Sequence, residues 1–449
     1  NKKRDVDMTE GNIVRHLITF AIPLLLGNLF QQLYNTVDAW VVGRFASNEA
    51  YSAVGSVGPI INILIGIFLG LSSGAGVVIS QFYGAKQFDK VKKAVHTSMA
   101  VTVILSIVFT ILGITLSPMM LHAMDMPDEV IPEATTYLTV YFAGVTGLLF
   151  YNMGAGILRA VGDSKRPFVY LVVAAVTNTL LDLFFVIVLK MGVMGVALAT
   201  VIAQGASSVL VMITLVRSDT CIKVSFKEIR ISIEQLKLIL KVGIPAAIQL
   251  AVTAFSNVFV QSYINYFGVD CMSGWTTYAK LDQFMFLPMQ SISLAATTFM
   301  GQNLGIGNIE RAKRGVRVAS YMSLICTAVI MIPIVVFAPT FGAFFNSKPE
   351  VVAYSTLLLR WMSPFYLLCC FNQVYSAALR GAGNSKVPMI IMICSFVVFR
   401  QIYLFVMANY ISNEIIPIAM GYPAGWAVCS ALTLIYYKRT DLMKTKLVN

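Results

Sequence analysis

The chain has 449 residues, of which 57% are hydrophobic types and only 12% charged, with 33 Lys and Arg against 21 Asp and Glu for a formal net charge of +12. A soluble domain carries about 25% charged residues to cover its surface, and this chain has half of that. Its apolar residues run in long blocks broken by short charged patches, which excludes a soluble enzyme, a disulfide scaffold and a disordered chain, and reads as an all-α polytopic membrane protein.

A bilayer core takes about 20 apolar residues per helix. In chain order the sequence predicts twelve spans, at roughly 13–43, 51–82, 92–121, 132–157, 167–189, 193–216, 236–266, 271–303, 314–345, 352–378, 388–411 and 414–437. The chain opens on Asn1 instead of Met, as a trimmed chain would, and the first span has no small-residue cleavage site, so it reads as a retained helix. With both termini inside, 27 of the 33 basic residues fall on the inner side. They sit in the N-terminal arm, in the loops carrying Lys86 to Lys93, Arg159 to Arg166, Arg311 to Arg317 and Arg380 to Lys386, in the stretch between the sixth and seventh spans, and in the C-terminal tail. Arg44, Lys190 and Lys348 fall outside, and the loop after the third span is acidic, with Asp125, Asp128, Glu129 and Glu133. The positive-inside rule then places both termini in the cytoplasm. The expected location is the plasma (inner) membrane, where the basic loops meet anionic lipid headgroups, not nucleic acid.

The chain is duplicated. Leu158-Arg159-Ala160-Val161-Gly162-Asp163-Ser164-Lys165-Arg166-Pro167 returns as Leu379-Arg380-Gly381-Ala382-Gly383-Asn384-Ser385-Lys386-Val387-Pro388, identical at six of ten positions at an offset of 221. Gln81, Gly84 and Val95 match Gln302, Gly305 and Val316 at the same offset, and Ala21-Ile22-Pro23 matches Gly243-Ile244-Pro245 one residue off. Each half therefore holds six helices of like orientation. The expected organisation is an N-lobe at 1–217, a cytoplasmic linker at 218–235 and a C-lobe at 236–449, two like lobes about a cleft as in an alternating-access transporter.

Several of these features resemble one family. They are the Pro23 helix carrying Asp38, the Gln-x-x-Gly ends of the second and eighth spans, the paired Leu-Arg-x-x-Gly-x-Ser-Lys-x-Pro loops, and Asn178-x-x-x-Asp182 followed by Gly192-x-x-Gly195-Val-Ala-Leu-Ala-Thr200. Together they resemble the multidrug and toxic compound extrusion (MATE) family along essentially the whole chain. The resemblance implies a twelve-helix efflux antiporter that expels cationic amphipathic compounds against a sodium or proton gradient, without an ATPase site or other cofactor. It also implies a cation-coupling site, open to H⁺ or Na⁺, at Asp38, Asn178, Asp182 and Thr200. Some members carry coupling acids on the seventh and tenth helices. Here those helices read Gln249-Leu-Ala-Val-Thr253 and Leu367-Leu-Cys-Cys-Phe-Asn372-Gln373, with no carboxylate in either, which moves the expected coupling to the N-lobe.

The residues argue the same way. An ionisable group inside a span costs roughly 2.5–3.5 kcal/mol on insertion scales, so each is a functional candidate by default. Away from helix ends they are Asp38, Asp182, Lys280, Asp282, Arg360 and Arg400. Asn178 and Asp182 stand at i and i+4 and share one helix face. Two carboxylates, an amide and a hydroxyl offer hard oxygen ligands to a cation or a proton. In the second half Phe399 and Tyr403 replace Asn178 and Asp182, and Arg400 stands between them. Lys280 and Asp282, at i and i+2, do not share a face, and pairing of Asp282 with Arg400 or Arg360 is as good a reading as a transport role. Gln31, Tyr34 and Asn35 on the Asp38 helix, and the repeat mates Asn152 and Gln373, are candidate substrate-cleft residues, with interhelical hydrogen bonding the plainer alternative. Pro23 is a candidate conformational residue. Twelve helices can enclose a pathway in one chain, so a functional monomer is expected.

Gly70-Leu-Ser-Ser-Gly74 fits a hydrolase pattern, yet it lies inside a span and reads better with Gly66 as a small-residue packing stripe. The seven cysteines have no metal spacing, and three histidines cannot build a proton relay unaided. Two other functions set useful contrasts. A lipid-linked oligosaccharide flippase would need several basic residues in its cleft, and an intramembrane transferase would need clustered acidic or histidine motifs.

Overall fold

Among the described residues, ten helices are long and apolar enough to cross a membrane by themselves. Their flanks carry ridges of exposed aliphatic side chains. On the helix Phe88–Ala123, for example, Ile104, Ile107, Val108 and Ile111 form an exposed i, i+3, i+4, i+7 stripe. Such a stripe in water would be a standing aggregation site; in lipid it needs no partner. The computed structural model describes residues 6–47, 49–50, 53–54, 57–123 and 127–448. Lys2, Lys3, Arg4 and Asp125 of the topology argument lie outside the described residues.

In the first half the helices are α1 (Ile13–Phe45), α2 (Gly58–Gly84), α3 (Phe88–Ala123), α4 (Ile131–Ala143), α5 (Val145–Ala160), α6 (Lys165–Asp182) and α7 (Val193–Val216). In the second they are α8 (Ile233–Asn265), α9 (Val269–Gly305), α10 (Ile309–Val336), α11 (Ala338–Phe345), α12 (Pro349–Met362), α13 (Tyr366–Gly381), α14 (Lys386–Met392), α15 (Arg400–Val406), α16 (Ile415–Ala419) and α17 (Gly421–Arg439). Every regular element among the described residues is helical.

Two predicted spans need qualification. The fourth is not one helix: α4 and α5 meet at Gly144 with a bend of 49°. The eighth, α9, is long enough at 37 residues but carries Asp270, Lys280, Asp282 and many hydroxyls, so it falls short on apolarity. Its C-terminal half is instead buried against protein, from Leu287 through Gly305 with few interruptions. Counting the bent pair and α9, the twelve spans are accounted for.

Packing divides the chain into two units. One holds Ile22–Ala247 with the start of the chain up to Asp7; the other holds Met8–Ala21 with Ile248–Asn449. The chain thus changes unit inside two long helices, α1 between Ala21 and Ile22 and α8 between Ala247 and Ile248. Each change falls within three residues of a mid-helix proline, Pro23 or Pro245, where the missing N–H has already opened the backbone ladder. In the first unit α2 lies close to residues 239–247 of α8: a Cβ on Gly70 would stand 2.5 Å from the Ala247 Cα, and one on Gly74 2.5 Å from the Ile239 carbonyl oxygen. Gly66 has open space around it, so the packing stripe is the Gly70/Gly74 pair without Gly66.

The duplicated loops have the same construction. After α5, Gly162 at φ +87° donates its N–H to Arg159 O and Asp163 N–H donates to Leu158 O; after α13, Gly383 at φ +97° and Asn384 repeat the pattern with Arg380 and Leu379. This is a helix C-cap that needs the left-handed region, hence glycine in both copies. Asp163 then caps α6 by accepting from the Lys165 and Arg166 N–H groups, and Asn384 caps α14 by accepting from Val387 N–H. The stretch between α7 and α8 is anchored, not free. Ser225 N–H donates to His96 Nε2 at 3.1 Å, Ser232 N–H to Thr97 Oγ1 at 3.0 Å, and Lys92 pairs with Glu228 at 2.6 Å.

Candidate functional site

Three polar side chains from two helices meet in the interior of the first unit. Asp38 comes from α1; Asn178 and Asp182 come from the last two turns of α6, one turn apart. All three are buried, at 8%, 1% and 0% exposure. The Asn178 amide Nδ2 donates to Asp38 Oδ1 and, at 3.1 Å, to Asp182 Oδ2. The two carboxyl groups are themselves within hydrogen-bonding reach of each other. One amide thus serves two acids, and its supply of donors ends there. Among the described residues, Asn178 Oδ1 and Asp182 Oδ1 are buried and meet no donor. Buried acceptors without partners are rare in folded proteins, because each forfeits its hydration.

Thr200 is also buried, on α7, but its hydroxyl donates to Val196 O at 3.0 Å and makes no hydrogen bond to the acids. Immediately after Asp182 the helix widens into a π turn, Leu183–Val188. Such turns cost regular hydrogen bonding and recur at functional positions. Pro23 is buried inside α1, well before Asp38 on the same helix.

Two phenols, Tyr34 and Tyr137, lie near the acids. Tyr34 hydrogen-bonds Gln31 within α1 and lies near Asp38. Tyr137 and Tyr141, i and i+4 on α4, stack at 6.1 Å between centroids; Tyr137 lies within electrostatic range of Asp38, Asp182 and Tyr34, and Tyr141 hydrogen-bonds Gln204 of α7. The sequence reading passed over Tyr137, Tyr141 and Gln204. The i, i+4 spacing of two tyrosines in an otherwise apolar span was the available signal. Of the other candidates, Gln31 and Asn35 are exposed, and Asn152 bonds its own helix at Leu148 O, 2.9 Å away.

The second unit carries no such acid cluster at the corresponding place. Arg400 is 1% exposed, and Gln373, Asp282 and Arg400 line one cavity there. Lys280 points the other way, exposed, with its ammonium 5.3 Å from the Phe345 ring centroid. Arg360 is exposed as well. No ion pair among the described residues joins Asp282 to Arg400 or Arg360: Asp282 accepts from Tyr278 OH at 3.3 Å, and Arg400 donates to Ser256 Oγ at 3.1 Å.

The MatE family profile matches twice, over residues 23–184 and 245–406, so that each match begins at one of the two helix prolines. The chain belongs to the MatE family. It is therefore a membrane transporter and not an enzyme. At 29% identity over 98% of both chains it is similar to "Probable multidrug resistance protein YpnP" of Bacillus subtilis (strain 168). It is 25% identical to "Probable multidrug resistance protein NorM" of Thermotoga maritima, covering 95% of this chain and 92% of the relative. Among solved structures, the outward-facing conformation of a multidrug resistance MATE family transporter superposes with a TM-score of 0.92 at 24% identity, over 98% of each chain, and so shares the fold. The two profile matches also give the internal duplication a fold-level meaning, one family repeat per half.

Proposed function

We propose that this MatE transporter expels cationic amphipathic compounds by antiport with H⁺ or Na⁺, and that Asp38, Asn178 and Asp182 form the coupling site, with Thr200 at its edge. The observation that carries the reading is the pair of donorless buried oxygens, Asn178 Oδ1 and Asp182 Oδ1, beside two apposed carboxyl groups. Two acids packed together away from water cannot both keep full charge cheaply. A proton on one of them, or a sodium ion among the oxygens, removes the repulsion and supplies the missing partner. The multidrug resistance relatives support the substrate class.

The cycle is competition for one charge-balanced region. A coupling cation entering from outside neutralises the acids, which alters how α1 packs near Pro23 and favours opening inward. An organic cation entering from the cytoplasm takes over the electrostatic role, and the coupling ion leaves. One charge moving down 100 mV supplies about 2.3 kcal/mol, roughly fifty-fold in concentration. Gln31, Tyr34, Asn35, Asn152 and Gln373 are the side chains proposed to meet the substrate. In this reading the chain works as a monomer in the inner membrane, termini cytoplasmic and basic loops on anionic lipid. Everted vesicles supplied with a fluorescent organic cation in the outer medium test it. Imposed Na⁺ or pH gradients should drive uptake at least tenfold faster with the native protein than with Asp38→Asn or Asp182→Asn, at equal membrane levels. Full activity in both variants would refute it.

A further inference from the structure

The second unit contains a cavity of about 290 Å³, at the small end of the range for ligand pockets. Its walls include aromatic rings, with Trp275 and Trp426 each in ring contact with Tyr422, at 5.7 and 6.0 Å. Two charged side chains of opposite sign also line it, Arg400 and Asp282.

Their arrangement is unusual for a structural pair. The Arg400 guanidinium lies between two rings, 4.5 Å from the Phe396 centroid and 4.4 Å from that of Tyr422. A guanidinium carries five N–H donors, yet among the described residues Nη1 donates to Ser256 Oγ while Nε is buried without a partner. Asp282 receives one phenolic hydrogen bond, from Tyr278. Arg400 is buried and Asp282 partly buried, and opposite charges lining one such cavity ordinarily pair. Here each is held by a neutral hydroxyl and they stay more than a salt bridge apart. The backbone makes room for this placement: a Cβ on Gly425 would come within 3.0 Å of both Nε and Nη2 of Arg400. A π turn, Ile393–Phe399, runs directly into Arg400 and sets the approach of its side chain.

We propose that this cavity binds a compact aromatic zwitterion, its acidic group against Arg400, its ammonium against Asp282 and its ring against the Trp275, Tyr422 and Trp426 walls. The ligand replaces the missing internal pair: each of the two charges gains its counter-ion, and no net charge enters the span. A simple cation or simple anion satisfies one wall and leaves the other exposed to low dielectric. The proposal concerns the second unit alone and does not rest on the coupling role of Asp38 and Asp182.

Equilibrium binding with no gradient imposed keeps the two apart. Full-length protein in phosphatidylcholine nanodiscs is titrated calorimetrically at neutral pH with 4-(aminomethyl)benzoate, 4-methylbenzoate and 4-methylbenzylamine, which share one ring and differ in charge. The zwitterion is expected to bind at least tenfold more tightly than either single ion. Arg400→Gln should bring the zwitterion down to the amine, and Asp282→Asn should bring it down to the benzoate. Gly425→Ala, which displaces the guanidinium without removing its charge, should weaken the zwitterion at least fivefold. Equal binding of the three probes to the native protein, or no measurable binding of the zwitterion, overturns the proposal without reference to any variant. So does a tenfold preference that survives in Arg400→Gln.

Discussion

Asn178 is the residue on which the acid cluster depends. Its single amide group supplies the hydrogen bonds that Asp38 and Asp182 accept from it, across 140 residues of sequence in one case and one helical turn in the other. Asn178→Leu would leave two buried carboxyl groups without that donor, a loss of about 1–3 kcal/mol for each unsatisfied group. A lowered thermal midpoint together with lost efflux is the expected result, and unchanged stability would show that the amide is not the holding group. Half of this cluster was legible in the sequence. The i, i+4 spacing put Asn178 and Asp182 on one face, whereas nothing local to α1 says that Asp38 meets them; only the family resemblance joined the two helices. Thr200 was named by the same resemblance, but its hydroxyl is spent on Val196 O. Thr200→Val should therefore disturb stability by less than Asn178→Leu does, as thermal unfolding of the two variants can show. Of the aromatic partners of Arg400, Phe396 stands four residues away, a spacing the sequence shows, while Tyr422 arrives from another helix and was not legible.

Among the elements, the helices themselves were the easiest to read, since a span is a run of apolar residues and little else. Bends were not. The 49° break at Gly144 and the π turns after Asp182 and before Arg400 leave no mark on hydropathy. The glycine stripe on α2 was read one member too long, because residue type gives small size but not which small residue faces a neighbour. Gly70→Leu or Gly74→Leu should destabilise by about 1–3 kcal/mol through overpacking against α8, while Gly66→Ala, in open space, should be silent in the same unfolding assay. The basic stretch between α7 and α8 reads in sequence as a linker, yet it is tied to α3 through His96, Thr97 and Lys92. His96→Ala removes the acceptor for Ser225 N–H and should speed protease cleavage in this stretch several-fold without altering the spans. The neighbouring Lys92–Glu228 pair matters less. Lys92 holds the Glu228 carboxyl below its ordinary range, so its contribution is present at neutral pH and fades as pH falls through that lowered value. With both side chains about half exposed, the pair should leave Glu228→Gln indistinguishable from native in the cleavage assay at pH 7.

For the molecule as a whole, the duplication was the most readable feature, and it is why one family profile fits twice. The net charge of +12 describes orientation in this light, since the basic residues gather in alternate loops. Reporter fusions at each terminus should both read cytoplasmic, and a periplasmic C-terminus would mean that one of the bent or polar spans does not cross. The two halves have diverged where it matters chemically. One keeps two acids around an amide; its counterpart holds an arginine between rings. That divergence is why coupling is proposed for the first unit, with coupling ion and organic cation competing there. The direct measurement is the affinity of the purified protein for a fluorescent organic cation across a range of pH and Na⁺ concentration. Affinity should fall as H⁺ or Na⁺ rises, and the dependence should disappear in both Asp38→Asn and Asp182→Asn. A cation dependence of native size persisting in the two variants would contradict it.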